Sequence, residues 1–194
     1  MNFYFQDSLR AGVTTINVQQ GNNCVVGGMG MVVKPFGMTV EQMLVRPNSG
    51  VKMSASPKSG KSRATQAQAL RRAFEDLRRY LATTVQAKKD GDDTARREAL
   101  YQGRDLDGDR AKGKAMGGIG WKVEGLELVP RGELDEKQEP LLDIVEGRVP
   151  VYYYCGAPMD VSTALQSARE NGFLHRTTLV LNSNCWKAVS YTHL

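Results

Sequence analysis

The stretch Arg148-Val-Pro-Val-Tyr-Tyr-Tyr-Cys155, followed by Asp160-Val-Ser-Thr-Ala-Leu-Gln-Ser-Ala-Arg-Glu-Asn-Gly172 and Thr177-Thr-Leu-Val-Leu-Asn182, decides how the chain folds. Its first part is β-branched and aromatic with no helical period, as in a buried strand. Its second carries Val161, Ala164, Leu165 and Ala168 at helical spacing, with Asp160 expected as N-cap and Gly172 as the left-handed residue that ends the helix. Its third is another short apolar run, closed by Asn182, Ser183 and Asn184. Strand, helix and strand in succession make a βαβ unit, whose two strands lie parallel with a right-handed crossover. Chemistry in such sheets gathers at the carboxyl ends of the strands. Those ends are Tyr153-Tyr154-Cys155 and Asn182-Ser183-Asn184, and Tyr154 and Asn182 are the candidate pocket residues.

Upstream, Gln6–Arg10 reads as the end of a helix stopped at Gly12, and Val13–Val18 as a strand. The glycine-rich passage Gly21–Gly30 lacks the Gly-x-Gly-x-x-Gly spacing and no helix follows it, so close backbone packing explains it better than a phosphate cradle. Met31–Lys34 and Gly50–Ser54 read as strands, and Thr39–Leu44 as a helical turn or an edge strand. From Ser62 to about Lys88, Ala67, Leu70, Phe74, Leu77, Leu81 and Val85 recur at three- and four-residue steps, which predicts a long amphipathic helix. Residues 89–118 turn to Lys, Asp, Gly and Arg, a composition expected to form a charged loop insertion. Within it, Asp105-Leu-Asp107-Gly-Asp109 starts like a calcium loop, but Arg110 and Met116 stand where Gly and Glu are required. A helix is expected around Glu139–Val145.

The chain has 194 residues, 41% hydrophobic and 24% charged, which suits a globular protein with one sizeable core. No apolar run approaches the ~20 residues of a membrane span, so no membrane partner is expected. The net charge of +5 is concentrated between Lys52 and Lys114, where only Phe74, Tyr80 and Tyr101 are available to stack on bases. Charge without stacking aromatics does not point to nucleic acid, and none is expected as a partner. Cys24, Cys155 and Cys185 have no Cys-x-x-Cys spacing and read as buried free thiols. The first residues lack the basic start and apolar middle of a signal peptide, and the compartment stays open.

Two motifs compete for function. Ala55-Ser-Pro-Lys-Ser-Gly60-Lys61-Ser62 fits a relaxed P-loop pattern between a strand and a helix. Backbone amides and Lys61 would then surround phosphates, with Ser62 on magnesium. Ala55 replaces the usual first glycine, however, and Pro57 removes an amide from the cradle.

The other motif is an ordered set of segments: Gly12–Val18, Val26–Lys34, Thr39–Val45, Gly50–Met53, Ser62-Arg63 with the long helix, Gly147–Val151, Asp160–Leu165 and Thr178–Leu181. In this order they resemble the middle of the amidohydrolase family, in its imidazolonepropionase-like branch. The resemblance implies an α/β fold, an incomplete (β/α)8 TIM-type barrel of about strands two to six, mostly parallel, occupying residues 1–188. It further implies metal-dependent hydrolysis of C–N bonds in a small-molecule amide, with zinc or another divalent metal as cofactor.

Carried over residue by residue, the ligand set is poorly met. Lys52 falls near the fourth-strand lysine and is the one metal candidate. Tyr154 stands at the fifth-strand histidine, and Asn182-Ser183 at the sixth. His175 and His193 sit at neither strand end. Tyrosine, with an ordinary pKa of about 10, ligates zinc poorly at neutral pH. The expectation is a fragment of an amidohydrolase-like protein, inactive alone and a candidate degenerate member, with residues 189–194 a non-native or disordered tail. The alternatives are a nucleotide-binding module using Gly60-Lys61-Ser62, or a non-catalytic interaction scaffold.

Overall fold

A computed structural model describes residues 3–101, 117–118, 121–123, 129–182 and 184–188. The calcium-like stretch, His193, Ser183 and the tail 189–194 lie outside the described residues. Helix α1 (Phe3–Arg10) ends at Gly12, whose φ of 81° is open to glycine. Strands β1 (Ile16–Val18), β2 (Val26–Met29) and β3 (Met31–Val33) follow, then the short helix α2 (Val40–Met43) and strands β4 (Leu44–Arg46) and β5 (Val51–Ser54). The long helix α3 spans Arg63–Tyr101, and a small ribbon pairs β6 (Gly117–Gly118) with β7 (Trp121–Lys122). The chain then forms α4 (Glu139–Val145), β8 (Val151–Cys155), α5 (Pro158–Glu170) and β9 (Thr177–Leu181).

The βαβ unit forms as its sequence requires. β8 and β9 run parallel, with Tyr154 opposite Val180 and Cys155 opposite Leu181. β5 lies parallel on the other side of β8, and β2 closes the sheet as an antiparallel edge, in the order β2-β5-β8-β9. A separate antiparallel sheet has the order β1-β3-β4.

The expected mostly parallel, incomplete (β/α)8 barrel is therefore not what forms. The described residues form an α/β arrangement with two small sheets, one mixed and one antiparallel, besides the ribbon. The reason lies in the connections. A parallel neighbour needs a crossover of a dozen or more residues, usually a helix. Between β1 and β5 the only helix is α2, four residues long, so these strands fold back on one another.

Side chains alternate across each strand. Val51, Met53, Val151, Tyr153 and Cys155 join Leu70, Phe74, Leu77 and Leu81 of α3, and Val161, Ala164, Leu165 and Ala168 of α5, in one core. The opposite face of the same sheet carries Lys52, Ser54, Tyr152 and Tyr154, with Lys52 opposite Tyr152 and Ser54 opposite Tyr154.

Two expectations of detail change. α3 does not stop near Lys88 but continues to Tyr101. A missing apolar stripe does not end a helix, because propagation adds a hydrogen bond per residue and Lys, Arg and Glu tolerate solvent well. Asp160 is not the N-cap of α5. That place is taken by Ala157, and Asp160 sits in the first turn, its carboxylate accepting from the backbone N–H groups of Gly156 (3.1 Å) and Ala157 (2.9 Å). Its other oxygen accepts from Arg63 Nε at 3.1 Å, so one buried carboxylate ties the start of α5 to the start of α3.

Candidate functional site

Tyr154 and Asn182 meet. The parallel register brings the ends of β8 and β9 side by side, and Asn182 Nδ2 donates to the Tyr154 hydroxyl at 3.1 Å. Asn182 is held there from behind, its N–H donating to the Cys155 carbonyl at 3.0 Å. Lys52 joins them from β5. Its Nζ lies 5.5 Å from the centroid of the Tyr154 ring, within the range of a cation–π contact.

Lys52 is only 6% exposed. Burial lowers its pKa from the ordinary lysine value, and the neighbouring Cys24 thiol pulls partly the other way. Burial likewise raises the pKa of Cys24, opposed by the charges of Lys52 and Lys58. Among the described residues no carboxylate meets Lys52.

The floor of this rim rests on residues that no sequence motif singles out. Gln66 Nε2 donates to the Cys24 carbonyl at 2.9 Å and to the Ser54 carbonyl at 2.8 Å, joining the segment before β2 to the end of β5. Gln66 is buried four residues before Leu70, so it opens the apolar stripe where Ala67 was expected. A glutamine in phase with Leu70, Phe74 and Leu77 was the available signal. Beside it, a Cβ on Gly27 would stand 2.9 Å from the Lys52 carbonyl oxygen, and one on Gly30 3.0 Å from the Val18 carbonyl oxygen, so the close-packing account holds at these two glycines but not at Gly21 or Gly28.

The P-loop geometry is absent from residues 55–62. Several of the N–H groups that would hold a phosphate are engaged within the protein: Lys58 donates to Gln66 Oε1 at 3.4 Å, Ser59 to Asn23 Oδ1 at 3.1 Å and Lys61 to the Lys58 carbonyl at 2.9 Å. Ser62 Oγ accepts from the Thr65 N–H at 3.2 Å and shares a hydrogen bond with Thr65 Oγ1 at 2.8 Å. It caps α3, as serine does at helix starts, and its N–H-facing lone pair is not free for magnesium.

A metal fits the rim no better. Among the described residues no group of three or more His, Cys, Asp or Glu side chains converges. The donors at hand are an amine, a phenol and a carboxamide, with the buried Cys24 thiol beside Lys52 as the single group of a kind that commonly holds zinc. Among the described residues Lys52 therefore lacks the converging set of ligands that a metal residue needs. His175 lines an open cavity of about 600 Å³ with Leu165, Leu174, Thr177 and Leu179, on the helix side of the sheet and at the amino end of β9. It is remote from the rim in both respects.

No protein-family model and no curated protein matches the chain. Among solved structures, the crystal structure of an amidohydrolase from Thermotoga maritima MSB8 is similar, with a TM-score of 0.52 at 20% sequence identity. The similarity covers 91% of this chain and 38% of that one, so the chain spans well under half of its structural neighbour. At this identity the likeness speaks for the fold alone.

Proposed function

We propose that the chain is part of a hydrolase of the amidohydrolase kind, and that the rim of Lys52, Tyr154 and Asn182 receives a small amide. The observation that carries this reading is the meeting of Tyr154 and Asn182 across adjacent parallel strands, with the Lys52 amine over the same tyrosine ring. A carboxamide side chain donates and accepts, a phenol does both, and a lysine amine donates whether charged or not. An amide ligand needs donors for its carbonyl oxygen and an acceptor for its N–H, and this trio supplies both. Donors fixed on strand ends polarise such a carbonyl without having to reorganise.

The trio lacks a paired base to activate water, so the chain alone holds the amide without turning it over. The finer assignment, to the imidazolonepropionase-like branch, is supported by the ordered segments from Gly12 to Leu181 and favours cyclic amides. Saturation-transfer NMR with 2-pyrrolidinone tests the reading. Transfer to the wild-type chain is expected, and its loss in the variant carrying Tyr154→Phe and Asn182→Ala. Equal transfer in both proteins, or none in the wild type, overturns it.

A further inference from the structure

The remaining puzzle of the rim is a lysine buried without an anion. Two half-buried cations are paired, Arg131 with Asp143 and Glu146 and Lys88 with Glu133, whereas Lys52 is the more deeply buried and meets no carboxylate among the described residues. Lys52 lies on β5, between β2 and β8, and among the described residues its Nζ has neither hydrogen bond nor ion pair. What faces it is the ring of Tyr154, with the Cys24 thiol as the nearby titratable group. Nor is Nζ among the fully enclosed side-chain atoms that lack a partner, so the tip of the amine keeps contact with the open face of the sheet.

We propose that Lys52 is a nucleophilic amine that condenses with a small aldehyde or ketone entering the rim. An ammonium loses hydration on burial, and the Tyr154 ring face returns only part of that, so the uncharged amine is favoured relative to surface lysines. The uncharged amine is the nucleophile. Its lone pair attacks the carbonyl carbon, a C–N bond forms, and the carbonyl π pair becomes a hydroxyl after proton transfer. The carbinolamine then expels that oxygen with the two former amine protons as water, leaving a C=N double bond. No oxidant or reductant is consumed. Tyr154 and Asn182 are placed to hold the carbonyl oxygen during the attack. This inference rests on the proposed function's placement of the ligand, and it widens the ligand class from amides to reactive carbonyls.

Brief treatment of the whole chain with acetaldehyde and sodium cyanoborohydride at neutral pH, followed by peptide mass spectrometry, tests it. Reduction fixes each imine as an N-ethyl lysine. Lys52 should label faster than the exposed Lys34 and Lys61, because burial favours its uncharged form, and Lys52→Arg should lose that label alone. Labelling of Lys52 no faster than of Lys34 and Lys61 overturns the inference. Labelling at Lys52 without transfer to 2-pyrrolidinone would sink the amide reading and leave the amine standing. Transfer without selective labelling would sink the amine alone.

Discussion

Replacing Asp160 by alanine is expected to loosen the site by unfastening the helix behind it. The carboxylate is 1% exposed and accepts from the N–H groups of Gly156 and Ala157 and from Arg63 Nε. Alanine leaves the two N–H groups in a partly buried turn without an acceptor, at about 1 kcal/mol each, toward the low end for unsatisfied donors. The bond to Arg63, whose side chain is 54% exposed, adds less than about 1 kcal/mol after solvent screening. The total is about 2–3 kcal/mol, with Asp160→Asn at about half of that because an amide oxygen still accepts. Urea denaturation reads this directly. With a slope of roughly 2 kcal/mol per molar, the Asp160→Ala midpoint should fall by about 1–1.5 M and that of Arg63→Ala by less than about 0.5 M. Transfer to 2-pyrrolidinone should weaken with it, since Gly156 follows the strand end that carries Tyr154. If Arg63→Ala costs as much as Asp160→Ala, the ion pair holds the helices together and the turn amides do not, which refutes this reasoning.

Leu77, fully buried between α3 and the sheet, should cost about 2–5 kcal/mol as alanine, read as a lower urea midpoint at an unchanged slope. Gly50 has φ 148°, and a Cβ there would stand 2.6 Å from Tyr152 Cε2 and 2.8 Å from the Pro150 carbonyl oxygen. Gly50→Ala is therefore expected to lower the melting temperature and to move the Tyr152 ring resonances. The Cys155 thiol is pushed up to about 12, chiefly by burial and then by Cys185 and Asp160. A raised thiol pKa leaves stability intact below the unfolded value of 9.0 and erodes it as pH climbs from there toward 12. By pH 10.5 the loss should reach about 2 kcal/mol, and Cys155→Ala, compared with the wild type at pH 8 and 10.5 under reducing conditions, should lack that component.

How much of the fold and the rim is legible in the sequence depends on the range of the contacts involved. Val149–Cys155, Val161–Ala168 and Thr178–Leu181 carry their periods within a few residues, and from them the parallel pairing and the approach of Tyr154 to Asn182 follow. β2 is not legible, because Val26-Gly-Gly-Met29 has no side-chain pattern of its own and becomes a strand only by pairing with Val51 and Met53. The barrel expectation fails for a related reason: local segments resemble barrel strands, but direction is set by connection length, and the connections before β5 are too short. Lys52 stands out in the sequence as a metal candidate, and among the described residues no cluster of ligands gathers around it. Its burial against Tyr154 depends on a register between strands a hundred residues apart in the chain, about which a strand lysine alone says nothing.

The outer flank of β9 has a further bearing on handling. In the described residues this strand has a neighbour on one side only, so alternate amides and carbonyls of Thr177–Leu181 point away from the sheet. The run Thr-Thr-Leu-Val-Leu has no charge and no proline, the usual guards on such a border. Concentrated solutions are thus prone to strand-by-strand growth from this side, and a lysine in place of Val180 would be the simplest deterrent.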